Sequence, residues 1–219
     1  MNPSTLAFLK DLKKHNDRDW FEANRERYEA ARQDVATLTE GFISGISKKE
    51  PAVAGLAAKD CVFRIYRDVR FSKNKSPYKT NMGAYVSPGG KKSTLAGFYL
   101  HIEPDGSFLA GGIWMPEAEA LRRIRQEIDY NGNDLKKILN GKKFKEMFGG
   151  FDPEYKLKTT PKNYSKDHPD IELLKHTSFI CWSSFDDKTV VSKDFVKTAV
   201  KTAELLVPLN RFLNVAVSG

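Results

Sequence analysis

Cationic side chains are concentrated in residues 64–81, which carry six Arg and Lys residues and a single carboxylate. The planar guanidinium group of Arg donates paired hydrogen bonds to phosphate and carboxylate groups, and Lys and Tyr also donate to phosphate oxygens. The segment therefore predicts a site for a phosphorylated or otherwise anionic small ligand. The predicted ligand-binding residues are Arg64, Arg67, Asp68, Arg70, Lys73, Lys75, Tyr78 and Lys79.

The apolar run that leads into this segment predicts a strand over 61–67. Alternate residues of a strand share a face and lie about 6 to 7 Å apart, which would group Arg64, Tyr66, Asp68 and Arg70. Arg67 would point toward the core and need a partner, which Asp68 or a carboxylate elsewhere could supply. A buried Arg–Asp network that holds the sheet, with function residing in protein partners, is therefore the architectural alternative to ligand binding.

Asp68 is the only carboxylate among these cations, and their charges should lower its pKa. A carboxylate with a lowered pKa is a weak general base at neutral pH. The sequence therefore predicts that Asp68 orients its neighbours, and it leaves the catalytic residues unknown. An enzyme that acts on a phosphate ester stays open, but no residue stands out as a nucleophile.

The elements around this segment change their period along the chain. Apolar residues recur every three or four positions from Ser4 to Lys14 and again from Asn16 to before Pro51, which predicts a short helix and a long one. Alternating or apolar runs predict strands near 82–87, 95–103, 107–113 and 177–185. Further helices are predicted from Pro116 to about Tyr130, in a short stretch capped by Asn133, and from about Ser192, with a kink or interruption at Pro208.

These elements predict an α+β fold in which an antiparallel sheet packs against long N- and C-terminal helices. The chain has 219 residues and shows no repeat or linker, so we expect a single domain over 1–219.

The formal net charge of +8 lies mainly in two blocks, residues 62–81 and residues 134–166. If the blocks met in space, they would form one basic face, and a nucleic-acid-binding module with stacking aromatics such as Tyr78 and Tyr164 is a second functional hypothesis. If they lie apart, they are solvated surface. The sequence does not decide between these arrangements.

The sequence lacks the motifs of several common binding and catalytic sites. Gly89-Gly90-Lys91-Lys92-Ser93 lacks the upstream glycine of a phosphate loop and fits a hairpin turn better. The four His residues are scattered, and no dinucleotide-binding glycine pattern or hydrolase serine elbow is present. The sequence therefore predicts no metal and no cofactor.

Cys61 and Cys181 lie in apolar runs without paired-motif spacing, which favours buried thiols in a reducing compartment. No signal peptide and no apolar run of eighteen residues is found, so we expect a cytoplasmic protein without a membrane partner. The oligomeric state is not predicted.

The run Arg64-x-x-Arg67-Asp68-x-Arg70-Phe71, followed by Asn74-Lys75-x-x-Tyr78-Lys79, resembles the signature of a bacterial and fungal family called domain of unknown function 2461. The likeness extends over nearly the whole chain, including Asp19-Trp20-Phe21, Gly97-Phe98-Tyr99 and Asp167-His168-Pro169. It implies a single α+β domain and emphasises the Arg/Lys/Tyr cluster. The family has no established activity to carry over, so the resemblance leaves the function open.

Overall fold

The computed structural model describes residues 1–218, which contain helices at both termini and a central sheet. The helices are α1 (Pro3–Lys14), α2 (Arg18–Ala23), α3 (Arg25–Ile46), α4 (Ala58–Cys61), α5 (Ala118–Leu139), α6 (Lys142–Phe148), α7 (Ile171–Leu174), α8 (Asp187–Val190) and α9 (Phe195–Ser218). The strands are β1 (Met82–Val86), β2 (Gly97–Ile102), β3 (Ser107–Ile113) and β4 (Phe179–Phe185). The prediction of an α+β fold is confirmed.

The four strands are all antiparallel and lie in the order β1-β2-β3-β4. The register aligns Tyr85, Tyr99, Ala110 and Trp182 in one row across the sheet. The next row on the same face contains Gly83, His101, Phe108 and Ser184. Because side chains alternate along a strand, these two rows point away from the packed face of the sheet.

The other face of the sheet packs against α3 and α9. Its side chains are almost fully buried and include Ala84, Val86, Phe98, Leu100, Ile102, Leu109, Phe179 and Cys181. At Gly111 a Cβ atom would lie 2.8 Å from Cδ1 of Leu206, so glycine allows α9 to approach the sheet closely. The buried residues form one cluster from Leu6 to Ala216, which is compatible with the predicted single domain.

The predicted strand over 61–67 is wrong. Residues 58–61 form the helical turn α4, and the segment that follows makes only the isolated bridges Val62 with Ala84 and Tyr66 with Tyr78. Pro77 has no N–H group to donate, so the pairing between this segment and residues 77–79 does not extend into a ladder. The cations of this region are therefore held in an irregular loop.

Three predicted helix boundaries also differ. The long N-terminal helix is broken at Asn24, whose side chain donates to the carbonyl oxygen of Trp20. The helix predicted to begin at Pro116 begins at Ala118 and continues to Leu139, with a kink at Asn131. Pro208 lies within α9, on the exposed side of that helix, and does not interrupt it.

Both cysteines are buried and free. Burial raises the pKa of the Cys61 thiol to about 11 and that of the Cys181 thiol to about 12. None of the helices in residues 1–218 combines the length and the apolar composition that a membrane crossing requires.

Candidate functional site

Two of the predicted cations stabilise the loop that carries them. Arg67 donates from Nη1 to the carbonyl oxygen of Ser76 at 3.2 Å and from Nη2 to Oγ of Ser72 at 3.4 Å. Lys75 donates to the carbonyl oxygen of Val69 at 3.0 Å. Residues 64–78, which we call the charged loop, therefore use these side chains to satisfy their own backbone.

Asp68 and Arg70 form an exposed pair. Arg70 donates from Nε and Nη2 to the two oxygens of Asp68, at 3.0 and 2.7 Å, and its hydrogen bonds hold the pKa of Asp68 below the usual range. Asp68 thus orients Arg70, but the two side chains lie in solvent, with 48% and 76% of their surface exposed. Within residues 1–218 Arg67 contacts loop oxygens and forms no ion pair, so a buried network of Arg67 with Asp68 is not formed. That the protein acts through protein partners stays a prediction.

Tyr78 is a core residue. It is 4% exposed, and its ring stacks on Phe21 with centroids 3.9 Å apart and an interplanar angle of 13°. The side chain of Asn16 bonds both the N–H and the carbonyl group of Tyr78. These contacts attach the charged loop to the N-terminal helices. Packing and hydrogen bonding therefore explain the position of Tyr78 without a ligand.

The remaining cations of the cluster differ in their surroundings. Arg64 and Lys73 are exposed, whereas Lys79 is half-buried at the edge of a large cavity, with its Nζ 5.5 Å from the ring centroid of Phe63. Burial, and secondly the charge of Arg64, lower the pKa of Lys79.

Lys79 forms no ion pair with a carboxylate in the part of the chain that the structure describes. A half-buried ammonium group without an acidic partner is costly to keep charged, which marks Lys79 as a candidate binding residue.

The cavity beside Lys79 lies over the outward face of the sheet, opposite the face that packs against α3 and α9. It has a volume of about 1340 Å³, and we call it the sheet-face groove. Its floor is formed by the outward rows of the strands, including Tyr85, Tyr99, His101, Phe108, Ala110 and Trp182. Of the eight predicted ligand-binding residues, Lys79 alone lines this groove.

The aromatic floor is continuous from β2 to β4. The ring of His101 stacks on Phe108 with centroids 4.5 Å apart, and Phe108 meets Trp182 edge-on at 5.9 Å. Trp182 is 47% exposed, and its indole N–H donates to Oδ2 of Asp152 at 3.1 Å. A flat apolar group could therefore rest on a surface whose rings are already held in place.

Three side chains on β2 and its end form a hydrogen-bonded chain. The hydroxyl group of Tyr99 lies 3.1 Å from Nδ1 of His101, and Nε2 of His101 lies 3.1 Å from Oε2 of Glu103. Thr80 donates to the other oxygen of Glu103 at 3.0 Å. Burial, and secondly the charge of Glu103, raise the pKa of Tyr99 to about 12, so its hydroxyl group keeps its proton at neutral pH.

The rim of the groove beyond β3 exposes Trp114 and Met115, each 62% accessible. Met115 has a φ of 46°, which is uncommon for a residue with a side chain, and its N–H group donates to Oγ of Ser178 at 2.8 Å. Arg123 also lines this end, and Glu119 pairs with it at 3.1 Å. The cation at this end is therefore neutralised, unlike Lys79.

The two basic blocks lie at opposite edges of the sheet. Residues 62–81 pair with β1 through the bridge between Val62 and Ala84, whereas the block 134–166 approaches β4, where the N–H group of Asp152 donates to the carbonyl oxygen of Ile180. The groove between the blocks is lined by four carboxylates, those of Asp105, Glu117, Glu119 and Asp152. The blocks therefore do not merge into one basic face.

Sequence reasoning missed the chain of Tyr99, His101 and Glu103. The signal was present, because Phe98, Leu100 and Ile102 alternate with these three residues and predict that they share the opposite face of the strand. The scattered positions of the histidines argue against a metal site, but they do not exclude a histidine that bonds to its neighbours on one strand face. Within residues 1–218 no group of three or more His, Cys, Asp and Glu side chains is arranged to hold a metal ion.

Comparison with known proteins gives a family but no activity. The family model described as "Conserved hypothetical protein (DUF2461)" matches residues 4–212, which is nearly the whole chain. No curated protein and no solved structure matches the chain. The chain therefore belongs to the DUF2461 family of conserved hypothetical proteins.

Proposed function

We propose that the protein binds a small organic anion in the sheet-face groove, with a flat apolar part on the aromatic floor and a phosphoryl or similar group beside Lys79. The observation that carries this proposal is the half-buried ammonium group of Lys79, which lines the groove and has no acidic partner in the described chain. The ligand is still the anion predicted from the sequence, but its proposed binding place is the groove and not the charged loop.

The charge at Lys79 argues for an anion. Partial burial disfavours the ammonium form, as its lowered pKa indicates, and Arg64 adds repulsion. A bound anion would remove both penalties, because it supplies the opposite charge that the protein lacks at this position. Arg64 would also raise the local positive potential for an approaching anion.

The floor argues for a flat apolar group. Phe108 and Trp182 present aromatic surface to the groove, and cavities that bind small molecules combine such walls with a few polar groups. The groove has about 1340 Å³, which exceeds the usual range of roughly 300 to 1,000 Å³ for ligand pockets. A ligand larger than a single ring would therefore fit.

Nucleic-acid binding is the second candidate function, favoured by the open aromatic face of a four-stranded sheet. Single strands stack their bases on such platforms. The carboxylates that line the groove oppose a phosphate backbone, so we rank this function below a small anion.

The test compares three probes by thermal stability: 2-naphthyl phosphate, 2-naphthol and inorganic phosphate. A ligand at a hundred times its dissociation constant adds about 2.7 kcal/mol to the free energy of unfolding, which raises the melting temperature by several degrees. We expect 2-naphthyl phosphate to raise it most, because it offers both the ring and the anion. A short single-stranded oligonucleotide is added at two salt concentrations.

The matched variants are Lys79→Met and Lys73→Met, which remove the same charge inside and outside the groove. Lys79→Met should abolish the advantage of 2-naphthyl phosphate over 2-naphthol, and Lys73→Met should retain it. Equal responses of the two variants would contradict the proposal. A salt-sensitive rise with the oligonucleotide alone would favour nucleic-acid binding instead.

A further inference from the structure

The chain of Tyr99, His101 and Glu103 has the geometry of a nucleophile, a base and an orienting carboxylate. Its two hydrogen bonds are both 3.1 Å long. Tyr99 and His101 line the sheet-face groove, whereas Glu103 lies behind them and is held by Thr80. Activated hydroxyl groups in enzymes show the same sequence of contacts.

The hydrogen bonds assign the tautomer of His101. A carboxylate oxygen only accepts, so Nε2 carries the proton that Glu103 binds, and Nδ1 is free to accept from the hydroxyl group of Tyr99. The stacking of His101 on Phe108, with an interplanar angle of 14°, fixes the plane of the imidazole ring. His101 is therefore oriented as a base toward Tyr99.

The hydroxyl group of Tyr99 occupies space that a glycine leaves open. A Cβ atom at Gly83 would lie 2.6 Å from this oxygen, so a larger residue there would displace the ring. Phe63 contacts both Tyr99 and Lys79. Its ring centroid lies 6.3 Å from that of Tyr99 and 5.5 Å from the Nζ of Lys79. The ring of Tyr99 and the ammonium group of Lys79 therefore both adjoin Phe63, which also lines the groove.

We infer that Tyr99 is the nucleophile of a phosphoryl-transfer site, with His101 as its base and Glu103 as a positioning residue. This inference rests on the proposed function, since the substrate is an anionic phosphoryl ester held by Lys79. A phosphoryl group fits this site because it is both an anion and an electrophile, whereas a carboxylate is a poor electrophile.

The first step forms the bond between Tyr99 Oη and phosphorus while the hydroxyl proton moves to Nδ1 of His101. The ester oxygen leaves on the opposite side of phosphorus and takes a proton from solvent. In the second step water attacks phosphorus and releases one proton to solvent. The bond to Tyr99 then breaks, and His101 returns its proton to Oη, so that the sum is hydrolysis of the ester.

The experiment incubates the protein with 4-nitrophenyl phosphate and with bis(4-nitrophenyl) phosphate, followed by acid quenching and peptide mass spectrometry. Phosphorylated tyrosine survives acid, so the intermediate is detectable as added mass on Tyr99. We expect this adduct and release of 4-nitrophenol from at least one ester. Tyr99→Phe should lose both, and His101→Gln should lower the rate at least about a hundredfold.

Glu103→Gln tests the positioning role, because it should lower kcat and leave KM unchanged. Absence of the adduct and of turnover with both esters would overturn the inference. Binding of 2-naphthyl phosphate by Tyr99→Phe separates the two proposals: if the variant binds the probe, the groove function stands whatever the esters show. If the wild-type protein does not bind the probe, the groove function fails as well.

Discussion

The charged loop and the sheet-face groove differ in how their side chains are used. The loop has the highest density of cations in the chain, but Arg67 and Lys75 satisfy loop oxygens and Arg70 pairs with Asp68. The groove has few cations, and one of them, Lys79, is half-buried and unpaired in the described chain. The proposed function therefore depends on free bonding capacity on a concave surface and not on density of charge.

The largest expected effect concerns Tyr78, a member of the predicted cluster that is buried in the core and does not line the groove. Tyr78→Ala should lower the free energy of unfolding by about 3 to 5 kcal/mol, because it removes a buried ring stacked on Phe21. Tyr78→Phe keeps the ring and should cost less than about 1 kcal/mol. Chemical denaturation measures both values, and a large loss in Tyr78→Phe would mean that the hydroxyl group has a role that the packing does not explain.

The next effect tests the floor of the groove. Trp182→Ala should weaken binding of 2-naphthyl phosphate by about 5- to 150-fold, since stacking on one aromatic side chain contributes about 1 to 3 kcal/mol. The control is Tyr130→Ala, which removes an aromatic side chain that is 71% exposed and does not line the groove. Isothermal titration calorimetry should give unchanged affinity for the control, and equal losses would contradict the account.

A smaller effect follows from the titration of Lys79. Its pKa is lowered, first by burial and then by Arg64, so the ammonium form is lost at a lower pH than for an ordinary lysine. Because the charged form binds the anion, affinity for 2-naphthyl phosphate should fall as pH rises toward the ordinary lysine pKa. The fall in affinity should be absent in Lys79→Met. An identical pH profile in that variant would mean that the titration of another group causes the fall.

The smallest effect is expected in the charged loop. Asp68→Asn breaks an exposed pair, so neither the melting temperature nor the affinity for 2-naphthyl phosphate should change measurably. A loss of affinity in this variant would return the site to the loop and reverse the comparison between the two regions.

The fold could be predicted because its periodicities are strong. The predicted strands 95–103 and 107–113 correspond to β2 and β3, and the spacing of apolar residues predicts α3 and α9. The predicted strand over 61–67 is wrong. Its apolar composition is typical of a strand, but the helical turn at 58–61 and Pro77 prevent it from forming a ladder. The composition of a short segment does not show which contacts elsewhere in the fold prevent it from pairing as a strand.

The site was harder to predict because exposure is a tertiary property. The sequence identified Lys79 but could not separate it from Lys73, since only the open face of the sheet distinguishes them. The alternation of β2 predicts that Tyr99 and His101 share one face of the strand, but no sequence pattern shows that this face borders a cavity.

The most direct test of the central claim is a crystal structure of the protein with 2-naphthyl phosphate bound. The account predicts the naphthyl ring over Phe108 and Trp182 and a phosphate oxygen within hydrogen-bond distance of the Nζ of Lys79. A phosphate bound instead by Arg67, Arg70 and Lys75, with the sheet face empty, would contradict it.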